Sequence, residues 1–121
     1  YTHSFIEKIH QTKKVLLPVV NGANLLIKEY TGLESMVTGE QFNILEPSGP
    51  VFPDADNIDL IIVPGVAFDK QNKRMGRGRG YYDKLLNHSS AIKVGVCLNF
   101  QFFDNIPSET HDISMDYVIT P

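Results

Sequence analysis

Three arginines and three glycines sit within seven residues: Arg74-Met75-Gly76-Arg77-Gly78-Arg79-Gly80, followed by Tyr81-Tyr82-Asp83. Glycine lets a backbone approach a ligand closely and take positive φ without strain. Arginine supplies a planar fork of donors matched to phosphate or carboxylate. A helix opening after such a loop adds unpaired N–H groups and a positive dipole end. The chemistry that these residues suit is anion binding, with phosphate the best match. The stretch is no Walker A loop, because no Gly-Lys-Ser/Thr follows the glycines, and its G-x-G-x-G spacing is not the dinucleotide fingerprint. Composition alone also allows a flexible Gly/Arg surface loop. Charge placement favours the site: Lys70–Lys84 holds six of the eleven Lys/Arg residues and one acid, Asp83, leaving five bases among thirteen acids elsewhere. An otherwise acidic chain concentrates its positive field here.

The loop needs elements to hold it. Ile58 to Val63 is a buried strand that enters a turn at Pro64-Gly65. The pairs Tyr81/Leu85 and Tyr82/Leu86 predict a helix from about Gly80 to Asn87 laid against that strand. Ala91 to Leu98 is a further buried strand, and Asp116 to Ile119 a last short one. Strand, long loop, helix, strand forces parallel pairing with right-handed crossovers and puts the loop at the carboxyl edge of the sheet, where ligands of open α/β folds bind. The predicted fold is α/β, a three-layer α/β/α sandwich around a mostly parallel sheet. Upstream, Ser4 is placed as the cap of a helix running to about Gln11, with Phe5, Ile9 and Ile6 facing inward. His3 and His10 at its ends are expected exposed or capping. Val15 to Val20 reads as a strand buried on both faces, and Leu25 to Tyr30 as its antiparallel partner across Asn21-Gly22-Ala23-Asn24. Thr31 to Asp59 is a connection with clustered prolines. Phe100, Phe102 and Phe103 are expected to pack under the core.

The bounds are ordinary. At 121 residues and a formal charge of −3 the chain reads as a single domain (1–121), with no apolar run near the ~20 residues that span a membrane. The lone Cys97 in an apolar run points to a structural thiol and a reducing cytoplasm. A single basic loop with no aromatic platform elsewhere is a poor nucleic-acid footprint. Asp54, Asp56 and Asp59 lack metal-ligand spacing.

Pro64-Gly65-Val66-Ala67-Phe68-Asp69 followed by Arg74-Met75-Gly76-Arg77-Gly78-Arg79-Gly80-Tyr81-Tyr82-Asp83 resembles the two-block signature of the 5-formyltetrahydrofolate cyclo-ligase (methenyltetrahydrofolate synthetase) family. Weaker similarity runs to Asp116-Tyr117-Val118-Ile119, and the chain resembles the C-terminal two-thirds of that family, without its N-terminal ATP-contacting segment. The resemblance implies a ligase that uses ATP and Mg²⁺ to close 5-formyltetrahydrofolate to 5,10-methenyltetrahydrofolate. It implies ATP contacts from Arg74, Met75, Gly76, Arg77, Gly78, Arg79, Gly80, Tyr81 and Tyr82. Folate contacts fall on Arg77, Gly78, Arg79, Gly80 and Tyr81, and catalytic roles on Arg77 and Arg79. Asp83 and Asp116 match the metal-linked aspartates; otherwise Asp83 reads as a first-turn helix residue and Asp116 as a strand-edge acid. Glu46-Pro47 matches a recurrent family element leading toward the substrate cleft.

Three functions compete at this point: the cyclo-ligase, a non-catalytic folate- or nucleotide-binding module of the same fold, and a nucleic-acid binder, the weakest. The partners expected are ATP and a reduced folate, with no nucleic acid or membrane, in a monomeric cytoplasmic protein.

Overall fold

The computed structural model describes residues 2–22, 24–38, 45–52, 55–76, 80–87, 89–107 and 112–121, of which 2, 3, 38 and 55 by backbone alone. The chain divides into two compact units, Tyr1–Pro53 and Asp54–Pro121.

In the first unit, helix α1 (Thr2–His10) precedes the antiparallel hairpin of β1 (Leu16–Asn21) and β2 (Asn24–Glu29). The helix starts two residues before the expected cap, so Ser4 lies inside it, and Phe5 faces solvent. The hairpin turns at Gly22, whose φ of 62° is the left-handed conformation that favours glycine. Within β1 only Val19 is fully buried. The apolar run had suggested burial on both faces, but in a two-stranded ribbon half of each strand stays near solvent. A second antiparallel pair joins β3 (Met36–Thr38) to β4 (Leu45–Pro47), with Val37 opposite Glu46. Glu46-Pro47 thus belongs to a strand pair. Tyr30 is buried, donates its hydroxyl to the Glu7 carboxylate, and meets the His10 ring edge-on at 5.1 Å. The bond to Glu7 and burial push the Tyr30 hydroxyl up to about 12, so it stays a donor at ordinary pH. His10, expected exposed or capping, instead packs on this ring.

The second unit is built on a parallel sheet ordered β10-β8-β5, where β5 is Leu60–Val63, β8 is Ile92–Val96 and β10 is Tyr117–Ile119. The chain is therefore an α/β fold with a parallel sheet and antiparallel strand pairs. Between β5 and β8 come β6 (Ala67–Asp69), β7 (Arg74–Met75) and helix α2 (Tyr81–Asn87); β9 (Phe102–Phe103) pairs parallel with β6. One face of the β10-β8-β5 sheet forms the core: Ile61, Val63, Phe68, Leu86, Ala91, Cys97 and Met115, with Tyr82, Phe102 and Val118 packed against it. Leu86 brings α2 onto this face, as the i to i+4 pattern predicted. Burial pushes the Cys97 thiol up, in keeping with a structural role.

The β6–β7 hairpin is pinned by Asp69, which is fully buried. Its Oδ1 accepts the N–H groups of Gln71 (2.9 Å) and Lys73 (3.0 Å), and its Oδ2 accepts that of Ile106 (3.0 Å). Asn72, at φ 65°, completes the turn. Burial pushes the Asp69 carboxyl up, but the three N–H groups and the Lys73 charge outweigh it, leaving it below the usual carboxylate value. A depressed folded value means that the stabilisation is present above the unfolded value of 3.8 and lost as pH falls through the folded one. Asp69→Asn should cost about 2 kcal/mol at neutral pH, because an amide group cannot accept from both sides. In acid titrations followed by circular dichroism, the wild type should lose stability below about pH 4 more steeply than the variant. Parallel acid profiles would remove Asp69 from this role.

Candidate functional site

Arg74 is an anchored cation at the carboxyl edge of β5. Its Nε donates to the Pro64 carbonyl at 2.6 Å, and its Nη1 reaches Asp83 Oδ1 at 3.3 Å. Its guanidinium carbon lies 5.5 Å from the centre of the Tyr82 ring, a cation–π contact. The Arg74 side chain is 9% exposed, and that burial pushes its pKa down, opposed by Asp83 and Tyr82; a guanidinium nevertheless stays charged in a protein. Tyr82 is shifted upward by burial against the opposing Arg74 charge, so its hydroxyl remains protonated. Two glycines make room for this arginine. A Cβ on Gly76 would stand 3.0 Å from Arg74 Nη2, and one on Gly65 would stand 2.8 Å from Phe68 Cζ and 3.2 Å from Arg74 Cγ. The loop returns to helix at Gly80, whose φ of 73° requires glycine and whose carbonyl accepts the Lys84 N–H. The result is a fixed positive charge with a carboxylate beside it, at the edge where α/β folds bind ligands.

Of the residues expected here, Arg74 and Met75 form β7, Gly76 follows it, Gly80 precedes α2, and Tyr82 and Asp83 lie in the first turn of α2. Arg77, Gly78 and Arg79 lie outside the described residues. Tyr81 opens α2, half-buried. Asp83 is 66% exposed, within reach of a solvated ligand. Asp116 is elsewhere. Its Oδ2 accepts the Lys93 N–H at 2.8 Å, its own N–H donates to the Lys93 carbonyl, and its carbonyl accepts from Asn72 Nδ2. Because Tyr117 pairs with Val94, Asp116 stands about 10 Å along the strand from the carboxyl edge. Through these bonds Asp116 locks β10 onto β8. Among the described residues no group of three or more His, Cys, Asp and Glu could hold a metal ion.

A cavity of about 590 Å³ opens beside the Arg74 path, lined by Gly65, Val66, Met75, Phe100, Phe103 and Ile106 among others. That volume is in the range of small-molecule sites. Phe100 is 74% exposed and Phe103 about half exposed, so two of the three phenylalanines expected beneath the core instead face this opening; only Phe102 packs inward. Gln101 fixes the segment, accepting the Leu98 N–H at 2.9 Å and donating to the Val66 carbonyl. An apolar rim of this kind can hold a flat ring.

The 5-formyltetrahydrofolate cyclo-ligase family pattern matches residues 2–121. The chain belongs to that family. It is 35% identical over 117 residues to the 5-formyltetrahydrofolate cyclo-ligase of Mycolicibacterium smegmatis, covering 89% of this chain and 60% of that protein. It is 33% identical over 130 residues to the Escherichia coli K12 enzyme, covering 99% and 70%. The NMR structure of Aquifex aeolicus 5,10-methenyltetrahydrofolate synthetase superposes with a TM-score of 0.83 at 35% identity, over 97% of this chain and 60% of that one. The chain thus spans about three-fifths of the length of cyclo-ligase relatives that it matches. Within this family member, sequence reasoning missed the structural roles of Asp69, Phe100 and Gln101 around the candidate site. Only Asp69 left a usable signal, an acid opening the polar turn Lys70-Gln71-Asn72-Lys73 that invites side-chain capping of the backbone.

Proposed function

We propose that this chain carries the substrate-contacting edge of an ATP- and magnesium-dependent cyclo-ligase that converts 5-formyltetrahydrofolate to 5,10-methenyltetrahydrofolate. The observation that carries the reading is Arg74, held by Pro64 and Asp83 beside an aromatic-rimmed cavity. In this reaction the formyl oxygen takes the γ-phosphoryl group of ATP, N10 closes onto the activated carbon, and inorganic phosphate leaves with that oxygen. The chain's task is to position the reactants and offset charge that spreads over the transferred group. Arg74 supplies a positive charge that needs no reorganisation, because its stem is buried and its fork is held at two points. Arg77, Arg79 and the backbone of Gly78 and Gly80 are assigned to the same phosphates and to the folate on the strength of the family motif, and Tyr81 to a ring contact. Tyr82 positions Arg74 through its ring face.

Asp83 fits a magnesium ligand: a solvent-facing hard oxygen donor beside the phosphate cation, of the one or two carboxylates that Mg²⁺ takes with waters and phosphate oxygens. The ion, when bound, would neutralise charge on those oxygens. Asp116 is assigned as the second metal-linked carboxylate on the strength of the family motif alone. The cavity rimmed by Phe100 and Phe103 takes a flat ring of one of the two substrates. Cytoplasmic location is proposed with the activity; among the described residues no helix is long and apolar enough to cross a membrane.

Equilibrium titration of the chain with Mg-ATP, and separately with 5-formyltetrahydrofolate, tests the assignment. Asp83→Asn should weaken ATP binding about tenfold in magnesium and little in its absence, while the melting temperature holds, since a half-exposed ion pair contributes roughly 0–1 kcal/mol. Equal affinities with and without the ion in both proteins would remove Asp83 from the metal site. Phe100→Ala should leave stability unchanged, because the ring is mostly in solvent, yet weaken one of the two ligands about fivefold, the loss expected from about 1 kcal/mol of stacking. Unaltered affinity for both ligands would empty the cavity of its role.

A further inference from the structure

Two polar side chains, Gln101 and Asn105, stand in the lining of the 590 Å³ cavity; the other described lining residues carry apolar side chains or none. Gln101 is spent on the protein itself. Its Oε1 accepts the Leu98 N–H at 2.9 Å, and its Nε2 reaches the Val66 carbonyl at 3.4 Å. The backbone beside it is committed as well, since the Val66 N–H donates to the Met75 carbonyl at 2.7 Å. Asn105 is exposed, and among the described residues its amide has no hydrogen-bond partner. Its backbone, by contrast, is held on both sides by Asp69. Phe103 pairs with Asp69 in the β6–β9 ladder, and the buried Ile106 donates its N–H to Asp69 Oδ2 at 3.0 Å. An uncommitted amide on an anchored backbone thus lines an opening rimmed by Phe100 and Phe103, where a ring lying on the phenylalanines would present its polar edge.

We propose that Asn105 is the specificity-determining residue of this cavity, reading the edge of a heteroaromatic ring that carries an amino group beside an unprotonated ring nitrogen. A carboxamide offers an acceptor oxygen and a donor nitrogen side by side. The oxygen takes a proton of the amino group and the nitrogen donates to the ring nitrogen, the pairing by which asparagine meets adenine. A carboxylate could accept but not donate, and an ammonium could donate but not accept. The adenine of ATP presents this edge at its amino group, and the pterin of a reduced folate presents it at its 2-amino group and N1. The inference deepens the functional reading above and rests on it, because that reading brings both ligands to the chain.

The probes are Mg-ATP and 5-formyltetrahydrofolate, each titrated by calorimetry beside its analogue without the amino group, purine riboside triphosphate and the 2-desamino folate. The wild type should prefer the amino form of one pair about tenfold, the loss expected when one partner of a paired amide goes unmatched. The pair that shows the preference identifies the ring. Asn105→Leu should erase that preference. Asn105→Asp should keep it while weakening the amino ligand about fivefold, since a carboxylate still accepts from the amino group but opposes the lone pair of the ring nitrogen. Melting temperatures should hold in both variants, because the side chain is in solvent. Binding of either ligand with no preference for the amino form, or with a preference that Asn105→Leu leaves intact, would overturn this inference and leave the cyclo-ligase reading standing. Failure of the wild type to bind either ligand would overturn that reading and the inference with it.

Discussion

Gly95→Ala is expected to lower the stability of the chain by about 3 kcal/mol, the upper part of the range for overpacking a core. Gly95 lies in β8, opposite Val63 on one side and Val118 on the other. One edge of the fully buried Phe68 ring stands against it: a Cβ there would come within 2.9 Å of Cδ1 and 3.0 Å of Cζ, and closer still to Cε1. The ring has no retreat, since Gly65 closes its other side, where a Cβ would stand 2.8 Å from Cζ. Phe68 begins the path that carries Asp69 and then Arg74, so its displacement would also disturb the site. Urea denaturation followed by fluorescence or circular dichroism measures the loss as a lower midpoint. A Phe68→Leu change should cost less in the Gly95→Ala background than alone, because the smaller side chain relieves the same clash. An unchanged midpoint for Gly95→Ala would show that Phe68 does not rest on this glycine.

Arg74→Lys is expected to weaken Mg-ATP binding about a hundredfold while leaving the fold standing, in line with the cost of removing one fixed donor from a charge-stabilising site. The substitution keeps the charge and most of the buried stem. It removes the fork that at once holds the Pro64 carbonyl, pairs with Asp83 and stacks on Tyr82. An ammonium on a flexible chain satisfies one of these at a time, so the charge is no longer fixed where the phosphates are expected. Calorimetric titration gives the affinity and a melting curve gives the stability. Equal affinity in the two proteins would move the anion site away from Arg74.

The elements around the candidate site were legible where residue chemistry and period coincided. Alternating glycine and arginine after an apolar strand suggested an anion loop, of which Arg77, Gly78 and Arg79 lie outside the described residues, and the Tyr81/Leu85 and Tyr82/Leu86 pairs gave α2. The β6–β7 hairpin was not legible, because strands of three and two residues are too short to show an alternation. Asp69 was read as a motif residue only; its role depends on the Ile106 N–H arriving from a segment 37 residues away. Phe100 and Phe103 were placed inside because hydrophobicity reports the cost of exposure and not which side chains bear it at a cavity rim. Asp116 was paired with Asp83 because both match the metal-linked aspartates of the family that the motif resembles. Only the parallel register shows that it stands about three residues along the sheet from the loop edge. Val15 to Val20 misled for a related reason: a continuous apolar run does not reveal how many strands lie beside it.

The measurement that bears most directly on the central claim is the absorbance of methenyltetrahydrofolate formed from 5-formyltetrahydrofolate and Mg-ATP. It is made on this chain alone and on this chain saturated with the unmatched segment of the M. smegmatis relative. The account predicts product in the complemented reaction, strictly dependent on ATP and magnesium, and its near disappearance with Arg74→Lys. A complex that forms and yields no methenyltetrahydrofolate, or product formation indifferent to Arg74, would contradict it.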